Sequence, residues 1–120
     1  MIQLLRSIER VLVHCSSRLY ERFGPARRLI VVDGDSLPAQ LPKRDLVLAR
    51  EGTEEWSVGM LCPCGCSRVV ELLLVKEANP RWSLSVDAKG RPSLSPSVWL
   101  KQGCRSHFFV RSGRVVWGRS

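Results

Sequence analysis

The chain has no run of eighteen or more uninterrupted apolar residues. Its most apolar stretch, MIQLLRSIERVLVHC, is broken by Arg6, Glu9 and Arg10, so no membrane-spanning helix is expected. The same charges, with no small-residue cleavage site after them, lead us to expect no secretory signal. The expected location is the cytoplasm, where thiols stay reduced and clustered cysteines serve metals or catalysis rather than disulfides. The chain also lacks C-x-x-C, which disfavours a redox dithiol. It lacks H-x-E, which excludes a zinc deaminase even though PCGC resembles half of that signature. Acids are scarce, with 11 Asp and Glu against 19 Lys and Arg, a formal charge of +8. The excess is concentrated at both ends of the chain, while residues 29–60 are net acidic, an asymmetry that points to an acidic partner: protein, nucleic acid or membrane surface.

What is present reads as one soluble domain. With 44% apolar and 25% charged residues, a chain of 120 folds compactly but gains from a local staple. Ile2, Leu5, Ile8, Leu12, Cys15, Leu19 and Phe23 recur at helical spacing. They predict an amphipathic basic helix over residues 2–22, ended by Gly24-Pro25 and packed on the domain's own core or on another surface. Cys15, on the apolar stripe beside His14, reads as core packing. The period then changes. RLIVVD (28–33), DLVLAR (45–50), EWSVGML (55–61), RVVELLLV (68–75), RWSLSVD (81–87), PSLSPSVWL (92–100) and HFFVRSGRVVW (107–117) are short β-rich runs between turn residues. DAKGR (87–91) and Ser112-Gly113 read as hairpin turns, and GDSLPAQLPKR (34–44), with two prolines, as a loop or poor edge segment. The expected fold is α+β: an N-terminal helix (1–24) followed by a small, mostly antiparallel β domain (25–120) stapled by one zinc ion.

That staple rests on two clusters. CPCGC places Cys62, Cys64 and Cys66 on one side of an extended segment, and Gly65 can fold it into a knuckle. CRSH supplies Cys104 and His107 some forty residues later. Zinc takes four sulfur and nitrogen ligands in a tetrahedron, so five candidates compete for four positions. A closed site is structural; a spare cysteine would be a nucleophile candidate. Glu71 beside the cluster reads as a solvated strand position and Ser67 and Ser106 as turn formers, so no catalytic residue is assigned. Trp56, Trp82, Trp99 and Trp117 fall within strands and are expected in the core. The alternative is that Trp82 joins Arg81, Arg91, Lys101, Arg105, Arg111 and Arg114 in a basic aromatic face for single-stranded nucleic acid.

CPCGCS at 62–67, RWSLSVDAKGRPSLSPSVW at 81–99, CRSHFF at 104–109 and SGRVVW at 112–117 resemble a bacterial family of small proteins, sometimes mislabelled ammonia monooxygenase. The likeness extends more loosely to about residue 29, and Ser67 stands where the family usually has Gly. The resemblance implies zinc binding by Cys62, Cys64, Cys66, Cys104 and His107. Some members are encoded beside ubiquitin-like conjugation components. This implies a zinc-binding accessory or interaction module in such a pathway, with an acidic protein partner. Two alternatives stand beside it: a nucleic-acid-binding zinc module, and a metal- or cysteine-dependent hydrolase acting on ubiquitin-like conjugates.

Overall fold

The computed structural model describes residues 19–118. Eight strands form where the β-rich runs were expected: β1 (Leu29–Asp33), β2 (Leu46–Glu51), β3 (Glu54–Leu61), β4 (Val69–Leu73), β5 (Ser83–Val86), β6 (Pro92–Trp99), β7 (His107–Arg111) and β8 (Arg114–Trp117). They build two four-stranded sheets in chain order, β1 to β4 and β5 to β8. All pairings are antiparallel except β1 with β2. A parallel neighbour requires a crossover, and the 34–44 segment supplies it without a helix. Its Leu37 and Leu41 lie over Gly59 of β3, where a Cβ would stand 2.5 Å from a Leu37 methyl. This loop explains why Val47 and Ala49, outside the shared core, are buried as deeply as Leu46 and Leu48.

Alternation along the strands sorts the two faces of each sheet. Leu46, Leu48, Val58, Met60, Val70 and Leu72 from the first sheet meet Leu94, Val98, Phe108, Val110 and Val115 from the second in one core. Ser112 (φ 49°) and Gly113 (φ 77°) form the two-residue turn between β7 and β8, with both central residues left-handed as a type I′ turn requires. Gly113 is also closely approached by the chain: Arg27 N–H donates to its carbonyl at 2.6 Å, and a Cβ would meet Arg27 O at 2.5 Å.

The predicted N-terminal helix can be described only at its last turn. Residues 2–18, with His14 and Cys15, lie outside the described residues; among the described residues 19–23 is helical. The expected apolar stripe does not turn inward there: Leu19 and Phe23 are 59% and 75% exposed. Glu21 is buried instead. Its carboxylate accepts from Arg27 Nε (2.8 Å) and Nη2 (2.7 Å), Arg44 Nη2 (3.2 Å) and the Val115 N–H (3.1 Å). Arg114 donates to the carbonyls of Glu21 and Gly24. Electrostatics thus overrides hydrophobic spacing, because two arginines and a backbone amide compensate a carboxylate that burial alone would leave unpaired. Burial raises the Glu21 pKa, but the hydrogen bonds and charge of Arg27, with Val115 and Arg44, outweigh it and hold the carboxyl below its usual 4.5.

A lowered carboxyl pKa contributes stability that is complete above about pH 4.5 and is lost as pH falls through the folded-state value. Glu21→Gln leaves Arg27 buried without its counter-charge and is expected to cost about 3 kcal/mol at pH 7. Thermal melts of both proteins across pH should show their stability difference shrinking below about pH 4.5; a constant difference would argue against the ion pair as its source.

Candidate functional site

Two loops bring four cysteines together. The first leaves β3 and returns to β4, closed by the Cys62 N–H donating to Arg68 O at 2.7 Å. The second joins β6 to β7, closed by the Leu100 N–H donating to Ser106 O at 2.8 Å. Each carries the same local device, a cysteine between two left-handed residues: Gly65 (φ 92°), Cys66, Ser67 (φ 66°) in one, and Gly103 (φ 72°), Cys104, Arg105 (φ 55°) in the other. These conformations curl each loop so that its backbone wraps around the sulfur. Ser67 and Arg105 adopt them at a cost of about 1 kcal/mol each, which persists only because surrounding contacts impose it. Arg68 Nη1 donates to Gln102 O at 2.8 Å and ties one loop to the other.

The sulfurs of Cys62, Cys64, Cys66 and Cys104 all lie within 4.8 Å of one another, and all four are free thiols. Cys62 Sγ is 3.4 Å from Cys64 Sγ and 3.6 Å from Cys104 Sγ. A tetrahedral ion with metal–sulfur bonds of about 2.3 Å needs sulfur–sulfur edges of about 3.8 Å, a size that the thiol set, with all sulfurs within 4.8 Å of one another, can supply. The buried Ser106 hydroxyl lies 3.3 Å from Cys104 Sγ and 3.6 Å from Cys62 Sγ, a polar contact of the kind that orients metal ligands. Titration is split between the thiols. Burial pushes Cys62 far up. Burial also opposes ionisation of Cys104, but the Ser106 hydroxyl and amide, with Cys62 and Cys64, bring it down to about 6. One thiolate ionises at its neighbours' expense; a cation would let all four do so.

His107 stands elsewhere. It opens β7, next in line after the second loop, and its Nε2 is 3.0 Å from the Ser97 hydroxyl on β6. Between Leu94 and Val98 the β6–β7 register shifts: β6 advances four residues while β7 advances two. Ser97 lies within this irregular stretch, on the same face as His107. The imidazole is stacked on Trp99, with centroids 4.8 Å apart at 16°, and tilted against Phe109 at 5.7 Å. Gly118 closes its other side, where a Cβ would lie 2.6 Å from Nδ1. Ser97, Trp99, His107 and Phe109 share the outer face of the second sheet, opposite Val98 and Phe108 in the core.

Of the five candidate ligands, then, four cysteines are gathered and His107 is engaged by Ser97. Trp99 is not a core residue: it is 47% exposed, because it falls on the outward parity of β6. Trp82 and Trp117 do pack against the core. Glu71 is exposed on β4, as expected of a solvated strand position. The basic residues divide. Lys101 lies over Trp99 and Arg111 over Phe109 on the outer face, whereas Arg91 binds Asp87 and Arg114 binds backbone carbonyls. Ser97 was not singled out from the sequence; its only signal was that five ligands were too many for four positions, which left one free for another role.

Residues 33–118 match the family model described as bacterial ubiquitination-like system serine protease (BubE). The chain belongs to this family. The BubE match spans both cysteine loops, Ser97 and His107. No curated protein and no solved structure matches the chain.

Metal content and thermal stability separate the two sets of residues. Cys62→Ser, Cys64→Ser, Cys66→Ser and Cys104→Ser should each reduce bound metal and lower Tm, since metal binding contributes to folding. His107→Ala should retain metal at the wild-type ratio; loss of metal in that variant would place the imidazole in the metal set.

Proposed function

We propose that this chain is a serine protease of a bacterial ubiquitination-like system. Ser97 is the nucleophile, His107 the general base, and the four cysteines hold a structural zinc ion. The observation that carries the reading is the 3.0 Å contact between Ser97 Oγ and His107 Nε2 on an accessible face of the sheet, in a chain whose family is described as a serine protease. A serine hydroxyl is a poor nucleophile at neutral pH and needs a base within hydrogen-bond reach. With Nε2 accepting from the hydroxyl, the ring proton resides on Nδ1. As Ser97 Oγ bonds to the scissile carbonyl carbon, its proton passes to Nε2; the same proton then goes to the departing amine as the C–N bond breaks. Water reverses the sequence to release the acyl group, regenerating Ser97.

Zinc held by Cys62, Cys64, Cys66 and Cys104 would cross-link the two loops and leave these steps to Ser97 and His107. Four thiols leave no protein-free coordination position for water, the arrangement of a closed structural site. Its effect on the reaction is positional: Cys104 is three residues before His107, so holding the second loop holds the start of β7. Reduced thiols suit work in the cytoplasm. The sequence-based reading of a zinc-bearing module in ubiquitin-like conjugation is retained for the ion and the pathway, while its role changes from accessory to enzyme.

A fluorophosphonate probe should label the wild-type chain at Ser97. Ser97→Ala should lose labelling entirely, and His107→Ala should slow it at least about a hundredfold. Labelling at another serine, or a Ser97→Ala variant that still reacts, would overturn the assignment. Gly118→Ala tests geometry without touching either group. Crowding Nδ1 should tilt the imidazole and lower the labelling rate by about tenfold or more, with the thermal stability of the core largely unchanged.

A further inference from the structure

The nucleophile strand is paired on only one side where it matters. β6 runs from Pro92 to Trp99, but β5 accompanies it only along Pro92–Ser95. Before Ser83 the chain has left the sheet, and the Trp82 N–H donates to Leu73 O on the first sheet. On the other flank, the Leu100 to Ser106 hydrogen bond fixes the parity of the β6–β7 ladder. Pairs two residues apart exchange hydrogen bonds in an antiparallel ladder, so Val98 faces Phe108 in such a pair and Trp99 does not. The N–H and C=O of Trp99 therefore point away from β7, toward the side that β5 leaves uncovered. Outside the ladders, no backbone hydrogen bond among the described residues involves Ser97 or Trp99. An open row of donors and acceptors beside a reactive serine is a template for an extended chain.

The surroundings of this edge select by charge. A cavity of about 240 Å³ is lined by Trp99, Leu100, Lys101 and Arg105. Lys101 Nζ stands 3.1 Å from the centre of the Trp99 ring, and both Lys101 and Arg105 are exposed. Arg111, over Phe109, adds a third cation on the same face. Among these lining residues there is no acid to balance them.

We infer that the substrate segment binds as an added strand on the open edge of β6 at Ser97–Trp99, with an acidic side chain directed at Lys101 and Arg105. This inference rests on Ser97 as the nucleophile. A strand added at the usual spacing of about 4.8 Å runs its carbonyls past Ser97 within reach of Oγ. Backbone pairing supplies the alignment, and the cations supply the choice of sequence. Charge-assisted contacts of this kind discriminate an acid from its amide by about tenfold or more.

Binding is tested apart from catalysis in the metal-loaded full chain carrying Ser97→Ala, labelled for amide NMR. The probe is a capped octapeptide alternating Val and Glu, added up to about 1 mM. Expected are shifts of the Trp99 and Lys101 amide signals, at least about tenfold weaker binding when Gln replaces Glu, and a similar loss in the Lys101→Ala, Arg105→Ala double variant. N-methylation of every second peptide amide should abolish the shifts. Equal affinity for the Gln peptide would overturn the charge selection, and equal affinity for the N-methylated peptide would overturn strand addition. Tighter binding of a single-stranded oligonucleotide to the same signals would assign the face to nucleic acid. Absence of any shift would refute the inference even if the fluorophosphonate probe labels wild-type Ser97; failure of that labelling with shifts intact would refute only the nucleophile.

Discussion

The convergence of four thiols is the constraint on which the rest of this small domain depends. One loop belongs to the β3–β4 turn of the first sheet and the other to the β6–β7 connection of the second, so the sulfur cluster joins the sheets at one end of their shared core. Hydrophobic burial is non-directional and would hold two sheets together in many relative positions. A metal ion held by these thiols would fix bond lengths and angles close to the residue that begins β7. The strain of two non-glycine residues in left-handed conformation is concentrated in the same loops, where coordination can offset it.

Across a cavity from the first cysteine loop, a second polar tie does related work. Glu21, Arg27 and Arg114 bind the segment before β1 to the start of β8, and Arg44 joins from the loop before β2. Both ties are polar, directional and compensated: every charge removed from water there meets an opposite charge or hydrogen-bond partners. The serine–histidine pair takes part in neither tie: it lies on the outer face of the second sheet, opposite the core. The imidazole is held by stacking on Trp99 and by Gly118 rather than by burial.

This arrangement separates two roles that a cysteine cluster tends to merge in a sequence-level reading. Cysteine and histidine at C-x-x-H spacing are a reasonable metal half-site, and CRSH is such a pair. In the folded chain Cys104 is in a loop and His107 is already in a strand, where the pleat fixes the direction of its side chain. Three residues of separation take the two side chains to different partners. The sulfur cluster is completed by the third cysteine of CPCGC, and the histidine meets a serine from the neighbouring strand.

Local chemistry made most of the architecture legible. β-branched runs, the Asp-Ala-Lys-Gly turn, the Ser-Gly turn and the proline-rich crossover follow from backbone preferences within a few residues, and the strands formed at those places. The cysteine loops were legible for the same reason, since sulfur is chemically distinctive wherever it stands. The helical stripe misled at its described end because a spacing rule sees apolar residues and not the arginines, up to 23 positions away, that bury Glu21 instead. Trp99 misled because strand membership does not tell which face is inward. The pairing of Ser97 with His107 was beyond the sequence altogether: it depends on the β6–β7 register, and register is decided by the whole sheet packing its apolar face onto the core. The sequence by itself determined the strands, the turns and the supply of sulfur ligands; only the tertiary structure decided which side chains meet across strands, because the fold, not the local sequence, puts the Ser97 hydroxyl 3.0 Å from the His107 imidazole.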